Sequence, residues 1–478
     1  MKQIVLTLFS LFALLGCSNA DASKTQAESV AAVQETQDVA ETTAVSLISG
    51  ISEKNAGDKV GPIRLHGKVK GAREGMTLYL GETEGKNDQI TDSTTIKAGA
   101  YDFGVNEFHR GFYMLSFDAN NKVALIMNPD EQEVEVDFNS TILDAAPVAI
   151  VSKENEGWVA YFLLEKKLDN EVRNLRRSRS QSSFKERIDQ QIEAKEVEKR
   201  SAQDAAIQKY PDTFLAKYLT WYNSPYLSEK GKYWDDIDFT DVSIIRTPVL
   251  PNRVQEFMRT HSGGEDQGFY NCIDMVKSKS EVNSKVLEFA LYTMLDGFYQ
   301  SGMEDVSQYI LDAYILDEDC SADLSDVIKQ RAQGIINLQI GKTPPNFNIE
   351  SLAHGNIELA KEVKKNEYTL VMFWASWCHK CEQEIPVLKG VYEEYKDKGF
   401  GVIGVSVDKT RGAWERAVEE NDVSWPNVSQ LLMWESPVAQ DYKVTQTPSL
   451  FLLDKDMRIV DKPSRIFQVE ALLKSKLK

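Results

Sequence analysis

This sequence has too little positive charge to be an obvious nucleic-acid binder. Its 478 residues carry 73 acidic against 55 basic side chains, which gives a formal net charge of −18. Because contacts with nucleic-acid phosphates need a positively charged surface, we predict no nucleic-acid partner. The sequence also has no evident fixed repeat period, so we do not expect a solenoid. Its length is typical of a chain of two or three domains.

Histidines are few, and their spacing argues against a metal site. His66, His109, His261 and His354 are scattered, and none of them has the spacing of metal ligands. The fifth histidine, His379, lies between two cysteines. We therefore predict no metal.

The N-terminus contains an apolar run that is too short for a permanent transmembrane helix. The run from Ile4 to Leu15 follows Lys2 and suits the central segment of a signal peptide. Its ending, Leu14 to Cys17, resembles a bacterial lipobox, which implies that Cys17 is lipidated. We expect residues 1–17 to be a lipoprotein signal peptide; a plain signal peptide with an incidental Cys17 is the alternative.

Residues 18–58 contain no aromatic residue and are mostly small or polar. Such a segment buries too little apolar surface to order itself, so we predict a disordered tether with a reach of roughly 35 Å. Ser18 directly after the cysteine resembles the residue that lets enterobacterial lipoproteins leave the inner membrane. We expect a lipid-anchored protein in the cell envelope that faces the periplasm, in the outer membrane.

Two further regions precede the C-terminal one. Residues 59–150 contain short alternating apolar runs separated by turn residues, which predict an N-terminal antiparallel β-sandwich. This region resembles the small β-domain that often precedes thioredoxin-like domains in Bacteroidetes lipoproteins. Residues 151–337 have apolar residues at helical spacing and predict a central α-helical region. The whole is thus predicted to be multidomain.

The helical region leaves two questions open. The basic residues between Arg173 and Arg187 form either a docking patch for an acidic partner or a solvated helix face with acidic neighbours. Cys272 and Cys320 either form a structural disulfide or are two buried free thiols.

Residues 338–478 alternate between strand and helix patterns. Continuous apolar runs predict buried strands at Tyr368–Trp374 and Phe400–Val407, and an amphipathic pattern predicts a helix at Glu382–Lys398. This alternation predicts a mixed sheet with helices on both faces, a C-terminal α/β domain.

Two thiols, Cys378 and Cys381, stand three residues apart where the first strand pattern meets the helix pattern. One sulfur of such a pair attacks a foreign disulfide and the other releases the first. A structural zinc site is the alternative, but it would need two more ligands, and Cys272 and Cys320 are isolated. The redox-active disulfide of Cys378 and Cys381 is then the only expected cofactor.

Four features around the CxxC pair resemble the thioredoxin fold of the TlpA/ResA type. Trp377 precedes the first cysteine, Glu384 and Pro386 follow the second, and Thr447-Pro448 precedes a later strand pattern. Thioredoxin proper has a buried aspartate where this chain has Met372. The resemblance covers residues 338–478 and implies a thioredoxin fold.

The resemblance also implies roles for the first cysteine and its neighbours. Cys378 is expected at the start of the helix as the nucleophile, with its thiolate favoured by the helix end. His379 and Lys380, the two residues between the cysteines, are expected to tune its acidity as potential cations. Much of the family has a proline where this chain has Lys380, so this chain departs from the family pattern at that position.

The remaining roles concern the resolving step and the substrate. Cys381 is expected to be the resolving thiol, and Glu384, buried in apolar surroundings, its proton acceptor and donor; a surface glutamate is the alternative. Trp377 and the cis-proline loop at Thr447 and Pro448 are expected to bind the substrate backbone.

We therefore predict a membrane-anchored envelope thiol–disulfide oxidoreductase that acts on protein thiols and disulfides. The resemblance implies a membrane thiol electron donor or acceptor as a partner, and CxxCH segments of apocytochromes c among the substrates. Two alternatives stay open: a thiol peroxidase, and a binding lipoprotein with an ancillary thioredoxin domain.

Overall fold

A computed structural model of the chain describes residues 57–118, 120–145, 147–222, 226–317 and 324–477. These residues form two compact units, divided between Thr293 and Met294. The predicted signal peptide, Cys17 and nearly all of the tether lie outside the described residues, so these expectations stay predictions. Among the helices that the structure describes, none combines the length and apolarity needed to cross a bilayer.

The first unit begins with eight strands in two four-stranded sheets. Their bounds are β1 Val60–Lys68, β2 Thr77–Glu84, β3 Asn87–Thr95, β4 Ala100–His109, β5 Gly111–Asp118, β6 Asn121–Met127, β7 Glu133–Phe138 and β8 Pro147–Val151. One sheet has the order β4-β1-β7-β8 and the other β3-β2-β5-β6. The ladder between β1 and β7 is parallel, so the expectation of purely antiparallel pairing is wrong there. The intervening strands supply the long crossover that a parallel pair requires.

The two sheets contribute to one hydrophobic core. Ile63 and Leu65 of β1 point inward together, because side chains two apart lie on the same face of a strand. They belong to the same buried cluster as Leu78 of β2 and Leu125 of β6. The β region is thus held together by side chains from both sheets.

Helices follow the strands, as predicted for the middle of the chain. They are α1 Lys153–Gln181, α2 Lys185–Lys209, α3 Phe214–Tyr222, α4 Val249–His261, α5 Asp266–Ser280 and α6 Ser284–Gln300. Ser152 caps α1 by accepting a hydrogen bond from the backbone N–H of Asn155. The Trp158 indole N–H donates to the carbonyl of Ala124 on β6 at 2.8 Å, which holds α1 against the second sheet.

The two open questions in the helical region have partial answers. Arg179 forms an ion pair with Asp189, and Arg176 forms one with Glu196, which favours a solvated helix face over a docking patch. Cys272 is a buried free thiol, and burial raises its pKa. Cys320 lies outside the described residues.

A buried charge cluster joins the start of the β region to the helical region. The carboxylate of Asp58 lies 3.0 Å from the Arg246 guanidinium, 3.0 Å from the Lys285 ammonium and 3.1 Å from the His109 ring. Arg246 also donates to Glu82 of β2 at 2.5 Å. Burial by itself raises the pKa of Asp58, but the His109 hydrogen bond and the Arg246 charge outweigh it and hold this pKa far below its usual value.

The second unit continues from Met294 with α7 and a seven-stranded sheet flanked by helices. Its strands are β9 Asn348–Ser351, β10 Gly355–Glu358, β11 Tyr368–Trp374, β12 Phe400–Ser406, β13 Asn427–Ser429, β14 Ser449–Asp454 and β15 Ile459–Asp461. Its helices are α7 Glu304–Ile310, α8 Asp326–Ile336, α9 Leu359–Glu362, α10 His379–Tyr395, α11 Arg411–Glu420, α12 Pro437–Asp441 and α13 Ile466–Lys476. Single helical turns are found at Val242–Arg246, Leu311–Ile315, Val363–Lys365, Lys396–Lys398 and Met433–Glu435.

The sheet order is β10-β9-β13-β12-β11-β14-β15, with β11 parallel to β12 and antiparallel to β14. The predicted mixed sheet is therefore confirmed. All residues of β11 after Tyr368 are buried, which explains its continuous apolar sequence. The C-terminal end of this strand leads directly to the two cysteines.

Candidate functional site

The first cysteine caps the helix that follows the central strand. β11 ends at Trp374, α10 begins at His379, and Cys378 occupies the N-cap position between them. Its Sγ accepts a hydrogen bond from the backbone N–H of Cys381 at 3.2 Å. Unpaired N–H groups and the positive end of the helix dipole favour a thiolate at this position. The expected placement of Cys378 is confirmed.

Cys378 and Cys381 form a disulfide, with their Cα atoms 5.2 Å apart. Cys378 retains 6% of its surface, whereas Cys381 is fully buried. An incoming thiol or disulfide therefore reaches Cys378 first. Cys381, one helical turn deeper, is bonded to the sulfur of Cys378.

The loop before Cys378 is fixed by a buried carboxylate that the sequence analysis did not assign. Asp408 accepts hydrogen bonds from the backbone N–H of Ser376 at 3.0 Å and from its hydroxyl at 2.6 Å. The hydroxyl of Ser406 donates to the same carboxylate at 2.7 Å. The sequence does contain a sign of this role. Asp408 follows the strongly apolar β12 pattern, and a carboxylate buried there needs local hydrogen-bond partners.

Glu384 lies on α10, three residues after Cys381, and is 7% exposed, so the alternative of a surface glutamate is wrong. One carboxylate oxygen accepts from the Arg465 guanidinium at 2.8 Å, and the other accepts from the backbone N–H of Ile466 at 2.8 Å. The expectation of apolar surroundings is therefore also wrong. Arg465 was not among the sequence-predicted site residues, because it lies 81 residues away from Glu384 in the chain.

The loop before β14 approaches the nucleophile. The peptide bond between Thr447 and Pro448 is cis, as the resemblance implied. The carbonyl oxygen of Thr447 lies 3.4 Å from the Sγ of Cys378. This contact places the backbone of the loop next to the sulfur that an incoming substrate meets.

The three residues next to Cys378 face solvent to different degrees. Trp377 is 53% exposed and stacks edge-to-face on Trp434, with 5.9 Å between the ring centres. His379 is exposed and lies 3.2 Å from the carboxylate of Glu382, which offsets a positive charge on its ring. Lys380 is exposed as well. The tuning roles of His379 and Lys380 stay predictions.

A cavity of about 220 Å³ opens beside the cis-proline loop, and we call it the loop pocket. Its walls come from the end of α6 and the next turn, the chain around Thr447, the segment before α13, and α10. The lining residues are Tyr299, Gln300, Ser301, Gly302, Lys380, Glu384, Tyr442, Lys443, Val444, Gln446, Thr447, Pro448, Ser449, Leu450, Phe451, Lys462, Pro463, Ser464 and Arg465.

Gln300 connects two walls of the loop pocket. Its amide donates to the carbonyl of Lys443 at 2.8 Å, and its side-chain oxygen accepts from the hydroxyl of Thr445 at 2.8 Å. Lys443 has a positive φ of 51°, so the chain bends sharply at the position that Gln300 holds. The sequence analysis did not assign a role to Gln300.

Two family models match separate parts of the chain. The model described as the AhpC/TSA family matches residues 340–462, and the domain of unknown function DUF4369 matches residues 63–158. Thiol-disulfide oxidoreductase ResA of Bacillus cereus is 34% identical over 125 residues, which are 26% of this chain and 69% of that protein. ResA of Bacillus subtilis is 28% identical over 120 residues, covering 25% of this chain and 64% of the relative.

Solved structures from Bacteroides species resemble parts of the chain. The thioredoxin domain of a thiol-disulfide oxidoreductase from Bacteroides vulgatus is 29% identical, covers 30% of this chain and 99% of that structure, and has a TM-score of 0.28. A thioredoxin-like protein from Bacteroides caccae is 20% identical, covers 55% of this chain and 92% of that structure, and has a TM-score of 0.36.

The ResA relatives and the AhpC/TSA match agree with the CxxC geometry described above. Through its C-terminal region, the chain belongs to the ResA family of thiol-disulfide oxidoreductases. The predicted enzyme class is confirmed.

Proposed function

We propose that this ResA-type enzyme reduces protein disulfides by attack of the Cys378 thiolate. The attack forms a mixed disulfide between Cys378 and one substrate sulfur and releases the other substrate sulfur as a thiolate. The observation that carries this proposal is the position of Cys378, at the helix N-cap and 3.4 Å from the carbonyl of Thr447. A substrate backbone paired with this loop, as an added strand would be, would lie across the attacking sulfur.

The second step uses Cys381 and Glu384. The Cys381 thiol loses its proton, its thiolate attacks the Sγ of Cys378, and the second substrate thiolate leaves. Two electrons have then passed from the dithiol to the substrate. We propose Glu384 as the proton acceptor, since each carboxylate oxygen retains a lone pair beside its bond to Arg465 or Ile466.

We propose, from the N-terminal sequence, that this chemistry takes place in the cell envelope. We propose that the chain is anchored through a lipid on Cys17, faces the periplasm, and belongs to the outer membrane. The tether before the first unit would let the enzyme search for substrates near the membrane surface. A membrane thiol protein would exchange electrons with the Cys378–Cys381 pair, whose disulfide is the only cofactor in this proposal.

The organisation of the rest of the chain is also part of the proposal. We propose domain boundaries at 59–150, 151–337 and 338–478, after the signal peptide at 1–17 and the tether at 18–58. Asp58 is held in the buried charge cluster, so the flexible part of the tether ends before it. The β region would be a sandwich of its two sheets, since both contribute to one core. We propose that the part of the chain before residue 338 contributes to substrate selection by the thioredoxin-like region.

The test is thiol trapping of the purified full-length protein across a glutathione redox series. We expect one reversible two-electron transition, which Cys378→Ser and Cys381→Ser each abolish. A midpoint near about −270 mV would indicate a reductant like thioredoxin, and one near about −120 mV an oxidant like DsbA. The absence of any reversible couple at these cysteines would refute the redox proposal and leave the binding-lipoprotein reading.

The peroxidase alternative is tested on the same variants. A peroxidase that depends on Cys378 alone would consume hydrogen peroxide after Cys381→Ser. We expect the Cys381→Ser variant instead to accumulate a mixed disulfide with the substrate and to show no catalytic turnover of peroxide.

A further inference from the structure

We propose that the loop pocket is a substrate subsite that accepts an acidic side chain next to the disulfide of the protein substrate. The inference rests on the proposed function, because it takes the substrate backbone to pair with the loop at Thr447. It goes beyond that function because it names the chemistry by which this chain would choose among disulfides.

The position of the pocket connects it to the nucleophile. Thr447 and Pro448 line the pocket, and the carbonyl of Thr447 lies 3.4 Å from the Sγ of Cys378. Lys380, two residues after Cys378, lines it as well. A side chain adjacent to the reacting cysteine of a bound peptide therefore has this cavity within reach.

The lining of the pocket is cationic, although the chain as a whole carries a net charge of −18. Four of its residues are basic, namely Lys380, Lys443, Lys462 and Arg465, and one is acidic, Glu384. Such a concentration of one charge in a concave site attracts the opposite charge.

Two of the four basic groups already have an acidic partner. Arg465 pairs with Glu384 at 2.8 Å, and Lys462 pairs with Glu304. No ion pair within 4.0 Å involves Lys380 or Lys443 in the part of the chain that the structure describes. Their ammonium groups thus remain for a substrate carboxylate.

One further acid lies near this site on α6. Asp296 interacts electrostatically with Lys443 and hydrogen-bonds to Gln300, and burial raises its pKa. Asp296 does not line the pocket, so a carboxylate inside the pocket would approach Lys443 from another side.

The size of the pocket fits one side chain. Pockets for small molecules usually measure about 300–1,000 Å³, and this cavity is smaller at about 220 Å³. It is also open to the loop that would hold the peptide. Its occupant is therefore a side chain of the polypeptide that carries the disulfide.

Part of the pocket wall lies outside the region that matches the AhpC/TSA family. That match begins at residue 340, whereas Tyr299 to Gly302 form one wall of the cavity. Gln300 holds this wall to Lys443 and Thr445 through its two hydrogen bonds. The selectivity would thus depend on the helix that precedes the thioredoxin region.

The experiment measures kcat/KM of the full-length enzyme for four disulfide-bonded peptides. In the first pair, one peptide has Glu and the other has Gln directly before the reacting cysteine. In the second pair, the Glu or Gln stands directly after that cysteine. We expect the Glu peptide of at least one pair to be preferred by about two- to five-fold, as for a partly screened ion pair. We expect the preference to shrink as salt is added, because salt screens exposed charges.

Variants identify the groups that recognise the carboxylate. Lys443→Gln and Lys380→Gln should each lower the Glu/Gln ratio, and the double variant should bring it to about one. The matched control is Lys474→Gln, which changes the net charge equally at an exposed position on α13 and should leave the ratio unchanged. Any effect of Lys380 on the acidity of Cys378 cancels in the ratio, because both peptides react with the same sulfur.

The outcomes separate the two proposals. Equal reduction of the Glu and Gln peptides in both pairs, or a preference that survives the double variant, overturns the subsite and leaves the reductase intact. If the enzyme reduces none of the four peptides, the proposed function itself is overturned.

Discussion

Replacement of Glu384 by glutamine should separate the two chemical steps of the enzyme. Glutamine has nearly the same shape, but it cannot accept the proton that the Cys381 thiol must lose. A positioned general base typically accelerates such a step by about 10²- to 10⁴-fold. Because both carboxylate oxygens of Glu384 already accept a hydrogen bond, we expect the lower end, a resolving step slowed by about 100-fold.

The assay is rapid acid quenching of the reduced enzyme mixed with a peptide disulfide, followed by separation of the mixed disulfide. We expect the mixed disulfide to form at nearly the normal rate and then to accumulate, and we expect the defect to diminish as the pH rises and hydroxide takes the proton. Glu393→Gln is the control, since Glu393 lies on the same helix, twelve residues after Cys381, and is exposed. Resolution as fast in Glu384→Gln as in the control would refute the role of Glu384.

The same substitution should also weaken the fold locally. The amide of glutamine has one oxygen, so it cannot accept from both Arg465 and the backbone N–H of Ile466 in the present geometry. A buried donor left unpaired costs about 1–3 kcal/mol. Denaturant unfolding that follows the C-terminal unit should show a loss of this size for Glu384→Gln and little change for Glu393→Gln.

Three further predictions concern other buried groups. Asp58→Asn should destabilise the first unit by about 3–5 kcal/mol at neutral pH, because it removes the negative charge that pairs with Arg246 and Lys285 in a buried cluster, where Arg246 keeps only Glu82. The pKa of Asp58 is lowered in the folded protein, so its stabilising contribution is present above the unfolded pKa near 3.8 and is lost as the pH falls below that value. On acidification, the variant should therefore lose less stability than the native chain, as monitored by denaturant unfolding. Gln300→Ala should raise KM for a peptide disulfide by a larger factor than it lowers kcat. Gln333→Ala, at an exposed position of α8, should change neither constant. A fall in kcat as large as the rise in KM would contradict a positioning role for Gln300. Asp408→Asn should cost about 1–3 kcal/mol in denaturant unfolding and slow the attack by Cys378, whereas Asp422→Asn at an exposed site should do neither.

Local patterns predicted the elements of the C-terminal region well. The strand at Tyr368–Trp374 has the predicted bounds, because a continuous apolar run between polar residues leaves few alternatives. The following helix was expected from Glu382 but begins at His379, because Cys378 caps it through a backbone hydrogen bond that no apolar pattern records. The hairpin β9–β10 was missed, since strands of four residues are too short to show a period.

The candidate site was only partly predictable, for a physical reason. The cysteines, Glu384 and the Thr447-Pro448 loop are marked by local spacing, so the sequence locates them, although their roles remain predictions. Arg465 and Gln300 are different, because they act through partners 81 and 143 residues away. Ordinary polar residues at such separations carry no local signal, and only the fold brings them together.

The two hydrogen bonds of Gln300 affect which segment of this enzyme can be grafted into another protein. A graft of residues 340–462 into another protein would carry the CxxC pair and the cis-proline loop, but it would leave behind the helix end that braces the chain before that loop. Its redox chemistry and two lysines of the loop pocket, Lys380 and Lys443, would travel with the graft, whereas the pocket wall at Gln300 would have to come from the new host. Two relatives with the same cysteine motif can therefore diverge in partner choice by mutation of a helix that contains none of the catalytic residues.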